Sequence, residues 1–124
     1  MQSQNTKVDL VIDGTSFLGL SSYGKIMVGD KAFEFYNSSN PKDYIQIPWN
    51  EIDYISASVI FKGRWINRFA IFIKSGQSLS FSSKDNKLLL RTIAKYIKKE
   101  KLVKSLSFTD VIIRGIKGLF KKKS

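Results

Sequence analysis

The sequence contains no cysteine and no histidine. Without cysteine the chain forms neither disulfides nor thiolate metal sites, which suits a reducing compartment such as the cytoplasm. Without histidine it lacks the commonest general base and metal ligand, so a nucleophile would have to be serine, threonine, lysine or a carboxylate. The carboxylate pairs Glu51/Asp53 and Asp9/Asp13 are interpreted as surface acids. We therefore predict no catalytic residues, no metal site, no cofactor and no enzymatic activity.

Long apolar runs are also absent. No stretch approaches the roughly 18 to 20 apolar residues that a membrane-spanning helix requires. The first residues lack the basic region and apolar core of a signal peptide. We expect a cytoplasmic protein that does not cross the membrane. Its 124 residues and 43% hydrophobic content are those of one folded domain rather than of a disordered chain.

Acidic residues are scarce in the last third of the chain. Residues 1–83 carry eight basic and seven acidic side chains, a net charge of +1. Residues 84–124 carry 13 basic and three acidic ones, a net charge of +10. This asymmetry indicates an anionic partner for the C-terminal third, either phosphate backbone, acidic lipid or acidic protein.

Two glycine motifs do not meet the requirements of the binding loops that they resemble. "GLSSYGKI" (19–26) has Ile26 where a Walker A loop has serine or threonine, and it precedes a predicted strand instead of a helix. "GIKG" (115–118) lacks the flanking helix pair of a KH domain. We interpret the first motif as a turn and the second as a site of close packing or a flexible helix.

Alternating apolar residues between positions 7 and 83 predict a meander of about seven short antiparallel strands. Turn-forming stretches such as "DGT", "NSSNPKD" and "KSGQ" separate them. Each strand has one face for a core. The predicted core-facing residues are Val8, Leu10, Ile12, Phe17, Leu20, Ile26, Val28, Phe33, Phe35, Ile45, Ile47, Trp49, Ile55, Ala57, Val59, Phe61, Phe69, Ile71, Ile73, Leu79 and Phe81.

Two helices are predicted after the strands. "SSKDNKLLLRTIAKYIKKE" (82–100) has the helical period, with Ser83 or Asp85 as N-cap and an apolar face that covers the sheet. Its predicted apolar residues are Leu89, Leu90, Ile93, Ala94, Tyr96 and Ile97. A second, basic amphipathic helix is predicted from Ser107, where Asp110 completes a capping box, and "EKLVKSLS" is interpreted as the separator of the two helices.

This order of elements predicts an α+β fold: a small, strongly bent antiparallel sheet or split barrel whose open end the first helix plugs, as in the small antiparallel β-barrel of pleckstrin-homology (PH-like) and GRAM-like domains. "IPWNEIDYIS" resembles a pattern found in bacterial PH-like modules, through Ile47, Pro48, Ile52 and Ile55. The predicted domain spans residues 1–106, and residues 107–124 form the basic tail.

Two candidate binding sites follow. In "FKGRWINRF" (61–69), Lys62, Arg64, Trp65 and Arg68 cluster at a predicted hairpin, and such a set suits a membrane interface or a protein contact. In the alternative, Trp65 folds back onto the barrel. The second candidate is the tail, and its predicted contact residues are Phe108, Ile112, Arg114, Ile116, Lys117, Leu119, Phe120, Lys121, Lys122 and Lys123.

The tail matches the pattern of helices that lie in a membrane interface. Its five cations, at about 1 kcal/mol each near an anionic leaflet, amount to roughly 5 kcal/mol, enough for reversible attachment. Nucleic acid is the second predicted partner, bound without sequence preference because the tail offers few polar side chains to base edges. In a third interpretation the apolar face packs on the chain's own barrel.

Four long segments resemble one known family: "VDLVIDGTSFLGLSSYGKIMVGDKAFEFYN", "DYIQIPWNEIDYISASV", "FSSKD" and "SLSFTDVIIRGIKGLF". They resemble the Firmicute family of ManO-type mannose-operon regulators, from about residue 3 to residue 120. The resemblance implies a cytoplasmic, non-enzymatic protein with a PH-like body, encoded beside a mannose-class sugar phosphotransferase system. It implies no catalytic residues, and "KKKS" lies beyond it.

We expect an accessory module that acts on the mannose phosphotransferase transporter at the cytoplasmic membrane face, held there by the tail. The alternative is a nucleic-acid-binding regulator of the mannose operon. The sequence shows no helix-turn-helix, because the predicted helices lack the polar face of a recognition helix.

Overall fold

The computed structural model describes residues 2–60 and 65–106 of the chain. Seven strands come first, then one helix and a last strand, which confirms the α+β class. The elements are β1 (Val8–Ser16), β2 (Ser22–Gly29), β3 (Ala32–Asn37), β4 (Tyr44–Pro48), β5 (Ile52–Ile60), β6 (Trp65–Ile73), β7 (Ser78–Ser83), α1 (Asn86–Ile93) and β8 (Leu102–Leu106), with short 3₁₀ turns at Trp49–Glu51 and Lys99–Lys101.

The strands form one open eight-stranded sheet in the order β4-β3-β2-β1-β7-β6-β5-β8. The predicted β-barrel is therefore wrong, since β4 and β8 lie at opposite edges of the sheet. The predicted meander is interrupted, since the consecutive strands β4 and β5 are not neighbours. Pairing of β1 with β7 joins the two halves over only three residue pairs, from Gly14/Ser83 to Ser16/Phe81. The sheet is also mixed, because β8 runs parallel to β5.

The sheet is strongly bent around its core. Rings on β3 contact rings on β6 and β7, strands that are not its neighbours: the Phe33 and Phe69 centroids lie 6.1 Å apart, and those of Phe33 and Phe81 4.9 Å apart. Such contacts across a single sheet require the two halves to face each other. Most predicted core residues are buried there, but Val8 and Leu20 are 43% and 91% exposed.

Helix α1 covers the concave side of the sheet. Asp85 caps it by accepting a hydrogen bond from the Leu88 amide at 3.1 Å, which confirms one of the two predicted N-caps. Leu89 and Ile93 are fully buried. The helix ends at Ile93, earlier than predicted, and Tyr96 packs from the following turn, where its ring stacks on Trp49 with 5.4 Å between centroids.

Strand β8 was not predicted. The segment interpreted as a separator of two helices pairs with β5 from Ile55/Leu102 to Val59/Leu106. Its lysines obscure the alternation of apolar and polar residues in the sequence. Its backbone forms hydrogen bonds with the edge of β5, whose backbone groups would otherwise be unpaired. The second predicted helix, from Ser107, lies outside the described residues.

The N-terminal residues form a polar arm on the outer face of β3 and β4. Its anchor is the Glu34 carboxylate, which is completely buried although it belongs to a charged residue. The arm and its neighbours supply the hydrogen bonds that such burial requires. The donors to Glu34 are the Ser3 hydroxyl, the Gln4 amide (2.9 Å), Asn5 Nδ2 (2.8 Å), the Tyr36 hydroxyl (2.8 Å) and Gln46 Nε2 (2.9 Å).

Candidate anion-binding surface

The two predicted binding sites are only partly within the described residues. Trp65 and Arg68 lie on β6, and both side chains are exposed. Lys62 and Arg64 of the same hairpin lie outside the described residues. So does every predicted contact residue of the tail, which comprises Phe108, Ile112, Arg114, Ile116, Lys117, Leu119, Phe120, Lys121, Lys122 and Lys123.

A β-bulge decides which way Trp65 points. Ser58 on β5 pairs with Arg68, whereas the next residue, Val59, pairs with Ile66, so Asn67 is an extra residue on β6. Ile66 packs against the core. Trp65 therefore points to the outer face and is 59% exposed, whereas unbroken alternation from the buried Phe69 would have turned it inward. The alternative in which Trp65 folds onto the core is not what the structure shows.

Arg68 is held on the same outer face. Its guanidinium lies over the ring of Phe17, 4.6 Å from the centroid. An exposed cation–π contact of this kind contributes about 0.5 to 1 kcal/mol. Phe17 was predicted to face the core, but its ring instead serves as the platform for an arginine on the outer face.

The turn from β7 into α1 places two more cations beside Trp65. The buried Asn86 fixes this turn: its Oδ1 accepts from the Ser83 amide at 2.8 Å, and its Nδ2 donates to the Ile66 carbonyl at 2.8 Å. Lys84 and Lys87 lie on either side of Asp85, the N-cap residue of α1. A concavity of about 350 Å³ results, lined by Trp65, Ile66, Ser83, Lys84, Asp85, Asn86 and Lys87.

We call Trp65, Ile66, Lys84 and Lys87 the Trp65 surface. Among the described residues that line the concavity, the one carboxylate is that of Asp85, and it is engaged in capping α1. The two lysines therefore dominate its charge, and they flank an exposed aromatic ring. A surface of this kind binds anions that carry apolar groups, as lipid headgroup regions and acidic protein faces do.

An ion pair lies at the margin of this surface. Lys25 donates a hydrogen bond to Asp13, and this bond, followed by the charge of Lys25, lowers the pKa of Asp13, with a smaller contribution from the charge of Lys84. Asp13 is thus ionised at neutral pH but already paired, so it competes only weakly for Lys84.

The last described residue lies at the same end of the sheet as the Trp65 surface. The β5–β6 connection starts after Ile60, which pairs with Trp65. Leu106, the last described residue, pairs with Val59 of the same strand β5. The described chain therefore ends at the end of the sheet that carries the Trp65 surface. The sequence alone could not reveal this proximity, because the parallel strand β8 that creates it was not predicted.

Within the described residues no three acidic side chains come together as metal ligands would. The same part of the chain contains no helix that is long and apolar enough to cross a membrane. The arrangement provides two lysine cations and an exposed tryptophan ring, and groups of this kind contribute to binding. Lys84 and Lys87 were missed as site residues, although the charge excess that begins at residue 84 was a usable signal.

Comparison with known proteins gives a family and a fold. The sequence matches the family model described as Domain of unknown function (DUF956) over residues 1–116. No curated protein matches it. A similar solved structure is the crystal structure of the C-terminal domain of an unknown protein from Leishmania infantum, with a TM-score of 0.63 and 11% identity over 72% of this chain and 82% of that one. At this identity the likeness concerns the fold alone.

Proposed function

The chain belongs to the family described as Domain of unknown function (DUF956), and we propose that it is a non-enzymatic binding module of the membrane surface. It attaches peripherally to the anionic cytoplasmic face of the cell membrane. The contacts are made by the basic, apolar residues 107–123 together with the Trp65 surface.

One observation carries this proposal. Strand β8 ends with Leu106 at the end of the sheet where Trp65 is exposed beside Lys84 and Lys87. The folded body therefore offers cations and an apolar ring next to the point where the described chain ends and the basic tail of the sequence begins. Each lysine close to an anionic leaflet contributes about 1 kcal/mol, and an exposed tryptophan favours the headgroup region. The body thus reinforces the attachment expected of the tail.

A flotation experiment with the full-length chain tests this function. We expect it to float with vesicles of phosphatidylglycerol and phosphatidylcholine and to remain unbound with phosphatidylcholine alone. Lys84→Gln and Lys87→Gln should each weaken binding about fivefold, and Trp65→Ala should weaken it further. Lys74→Gln is the matched control, because Lys74 follows β6 at the end opposite to Trp65.

The outcomes discriminate between membrane and nucleic acid. Flotation that is indifferent to anionic lipid, or equal losses for Lys74→Gln and Lys87→Gln, would contradict the proposal. Duplex DNA bound with sequence preference at raised salt would favour the nucleic-acid-binding regulator instead, since non-specific binding is lost as salt rises.

The resemblance to ManO-type proteins suggests which membrane protein lies nearby. We propose the mannose-class phosphotransferase transporter as the protein partner, with the lipid attachment raising its local concentration. Membranes with and without the transporter, incubated with the full-length chain, test this part separately. Equal retention by both membranes would exclude the transporter as a partner but would not contradict the lipid attachment.

We also retain the PH-like interpretation as a proposal. The strongly bent sheet, with the antiparallel meanders β1 to β4 and β5 to β7 followed by a helix, supports it. The open sheet and the parallel strand β8 after the helix depart from the predicted barrel, so the interpretation rests on the first seven strands and α1. An experimental structure in which the two halves of the sheet do not approach each other would argue against it.

A further inference from the structure

An apolar groove lies between α1 and the β5–β8 edge of the sheet, next to the Trp65 surface. Its volume is about 270 Å³. Its floor is made by aliphatic side chains of four elements, and its rim by two exposed lysines, one from α1 and one from β8. The lining residues are Ile55, Ala57, Val59, Ile66, Lys87, Leu90, Leu102, Val103 and Lys104.

The charges of the rim are uncompensated within the groove. Among residues 2–60 and 65–106, Lys87 and Lys104 are its only ionisable lining residues, and no carboxylate of these residues lines it. The side chains of both lysines are largely in contact with solvent. A dry apolar cavity favours an apolar occupant, whereas the two cations favour an anion. Together they select a ligand that has both parts, an apolar chain with a negative head.

The groove is continuous with the polar concavity beside Trp65. The two share Ile66 and Lys87 among their lining residues. Lys87 therefore stands at the boundary between an apolar compartment and one lined by Ser83, Lys84 and Asn86. We propose that a single acyl chain of an anionic membrane lipid enters the groove, with its phosphate held by Lys87 and Lys104.

This inference deepens the proposed membrane attachment, since it names the lipid class and adds a site for one molecule. A groove of this volume lies just below the range of sites for drug-sized ligands, so it accommodates one chain and not a whole bilayer lipid. Attachment through the tail and insertion of one chain are physically separate events. They can be measured separately, because a short-chain amphiphile remains monomeric in water where no membrane exists.

The experiment is calorimetric titration of the full-length chain with decyl phosphate below its micelle concentration. We expect saturable binding of one molecule. Inorganic phosphate tests the head alone, and decylphosphocholine tests the chain with a zwitterionic head. Both should bind at least about tenfold more weakly than decyl phosphate, because each lacks one of the two contributions.

Variants locate the site. Lys87→Gln combined with Lys104→Gln should weaken decyl phosphate binding about tenfold or more, if each lysine contributes about 1 kcal/mol. Lys95→Gln, an exposed lysine outside the groove, should leave it unchanged. Ala57→Leu fills the groove floor and should reduce binding while leaving the two lysines in place; the lysine variants remain informative if this one folds poorly.

Two results would overturn the proposal. One is equal binding of decyl phosphate and decylphosphocholine, which would mean that the lysines do not select the head. The other is an unchanged affinity in the Lys87/Lys104 double variant. If vesicles are bound but decyl phosphate is not, the groove proposal fails and the attachment stands; the reverse result removes the attachment and leaves the groove.

Discussion

Substitution of Glu34 tests how the N-terminal arm is held. The Glu34 carboxylate is completely buried, and neither ion pair among the described residues involves it. Its charge is balanced only by hydrogen-bond donors. Oε1 accepts from the Ser3 hydroxyl and Asn5 Nδ2, and Oε2 accepts from the Gln4 amide and two side chains of the sheet.

The loss of stability in Glu34→Gln depends on how many of the five hydrogen bonds a side-chain amide can still accept. In Glu34→Gln the carboxamide keeps one acceptor oxygen, and its NH₂ group must face donors. The Ser3 hydroxyl can rotate to accept, but Asn5 Nδ2 cannot. The new NH₂ group then faces the Asn5 NH₂ group, so two buried donors lack an acceptor. The remaining hydrogen bonds are made to a neutral oxygen instead of a charged one, and we expect about 2 kcal/mol of destabilisation. Glu34→Ala strips all five donors of their acceptor and should cost more than Glu34→Gln, at least about 3 kcal/mol, because each donor left buried without a partner costs about 1 to 3 kcal/mol.

Urea unfolding of the variants measures this loss, with Glu51→Gln as the matched control because Glu51 is exposed. The control should stay within about 0.5 kcal/mol of the parent chain. Amide exchange gives a second readout: the Gln4 amide should lose protection in Glu34→Ala, while amides of β6 keep theirs. A Glu34→Gln protein as stable as the parent would refute the reasoning, since the desolvation of the carboxylate would then cancel its hydrogen bonds.

Three further predictions concern other contacts. Trp49→Phe removes the 2.9 Å hydrogen bond from Trp49 Nε1 to a carbonyl of β2, and we expect a loss of about 1 kcal/mol in chemical denaturation. Gly24→Ala would place a methyl group against the Tyr36 carbonyl; overpacking of this kind costs about 1 to 3 kcal/mol, visible as a lower melting temperature. The hydrogen bond that Tyr96 donates to Asp9 raises the pKa of Tyr96 from 10.0 to about 12. Because the unfolded chain loses this proton first, stability should fall as pH rises from 10 to 12, and Tyr96→Phe should flatten that decline in a pH series of unfolding curves.

The number of strands before the helix was predictable because apolar residues alternate between turn-forming stretches. Their order in the sheet was not, since β1 pairs with β7 and β4 does not pair with β5, and the predicted turn "DGT" lies within β1. Whether the sheet closes into a barrel was not predictable, because closure depends on the register and stagger of the strands, and the alternation of side chains does not determine either. Strand β8 escaped prediction because Lys101 and Lys104 surround a short apolar pair at a sheet edge, where lysine is common and the periodic signal is weak.

The candidate site was predictable in composition but not in geometry. The sequence singles out Trp65 by its basic neighbours, yet strict alternation from Phe69 would bury it. Only the extra residue Asn67 turns it outward, and nothing in "WINRF" marks that residue as a bulge. The arm is a similar case: Glu34 stands between two core phenylalanines, where alternation predicts a solvent-facing carboxylate, and its burial depends on distant residues of the N-terminus.

The distribution of charge along the sequence supports the proposal that the body and the tail bind the same anionic partner. Residues 84–106 carry eight basic and two acidic side chains, a net charge of +6, and residues 107–124 carry five basic and one acidic, a net charge of +4. The larger share of the basic excess therefore belongs to the part of the chain that contains α1 and β8. A partner that bound only the tail would not account for the net charge of +6 in residues 84–106. A solvent-exposed helix face can carry acidic as well as basic residues, so exposure alone does not explain why only two acids occur there. Because β8 joins the tail to the end of the sheet that carries Lys84 and Lys87, substitutions on the folded body should weaken binding to an anionic surface even when every residue of the tail is retained.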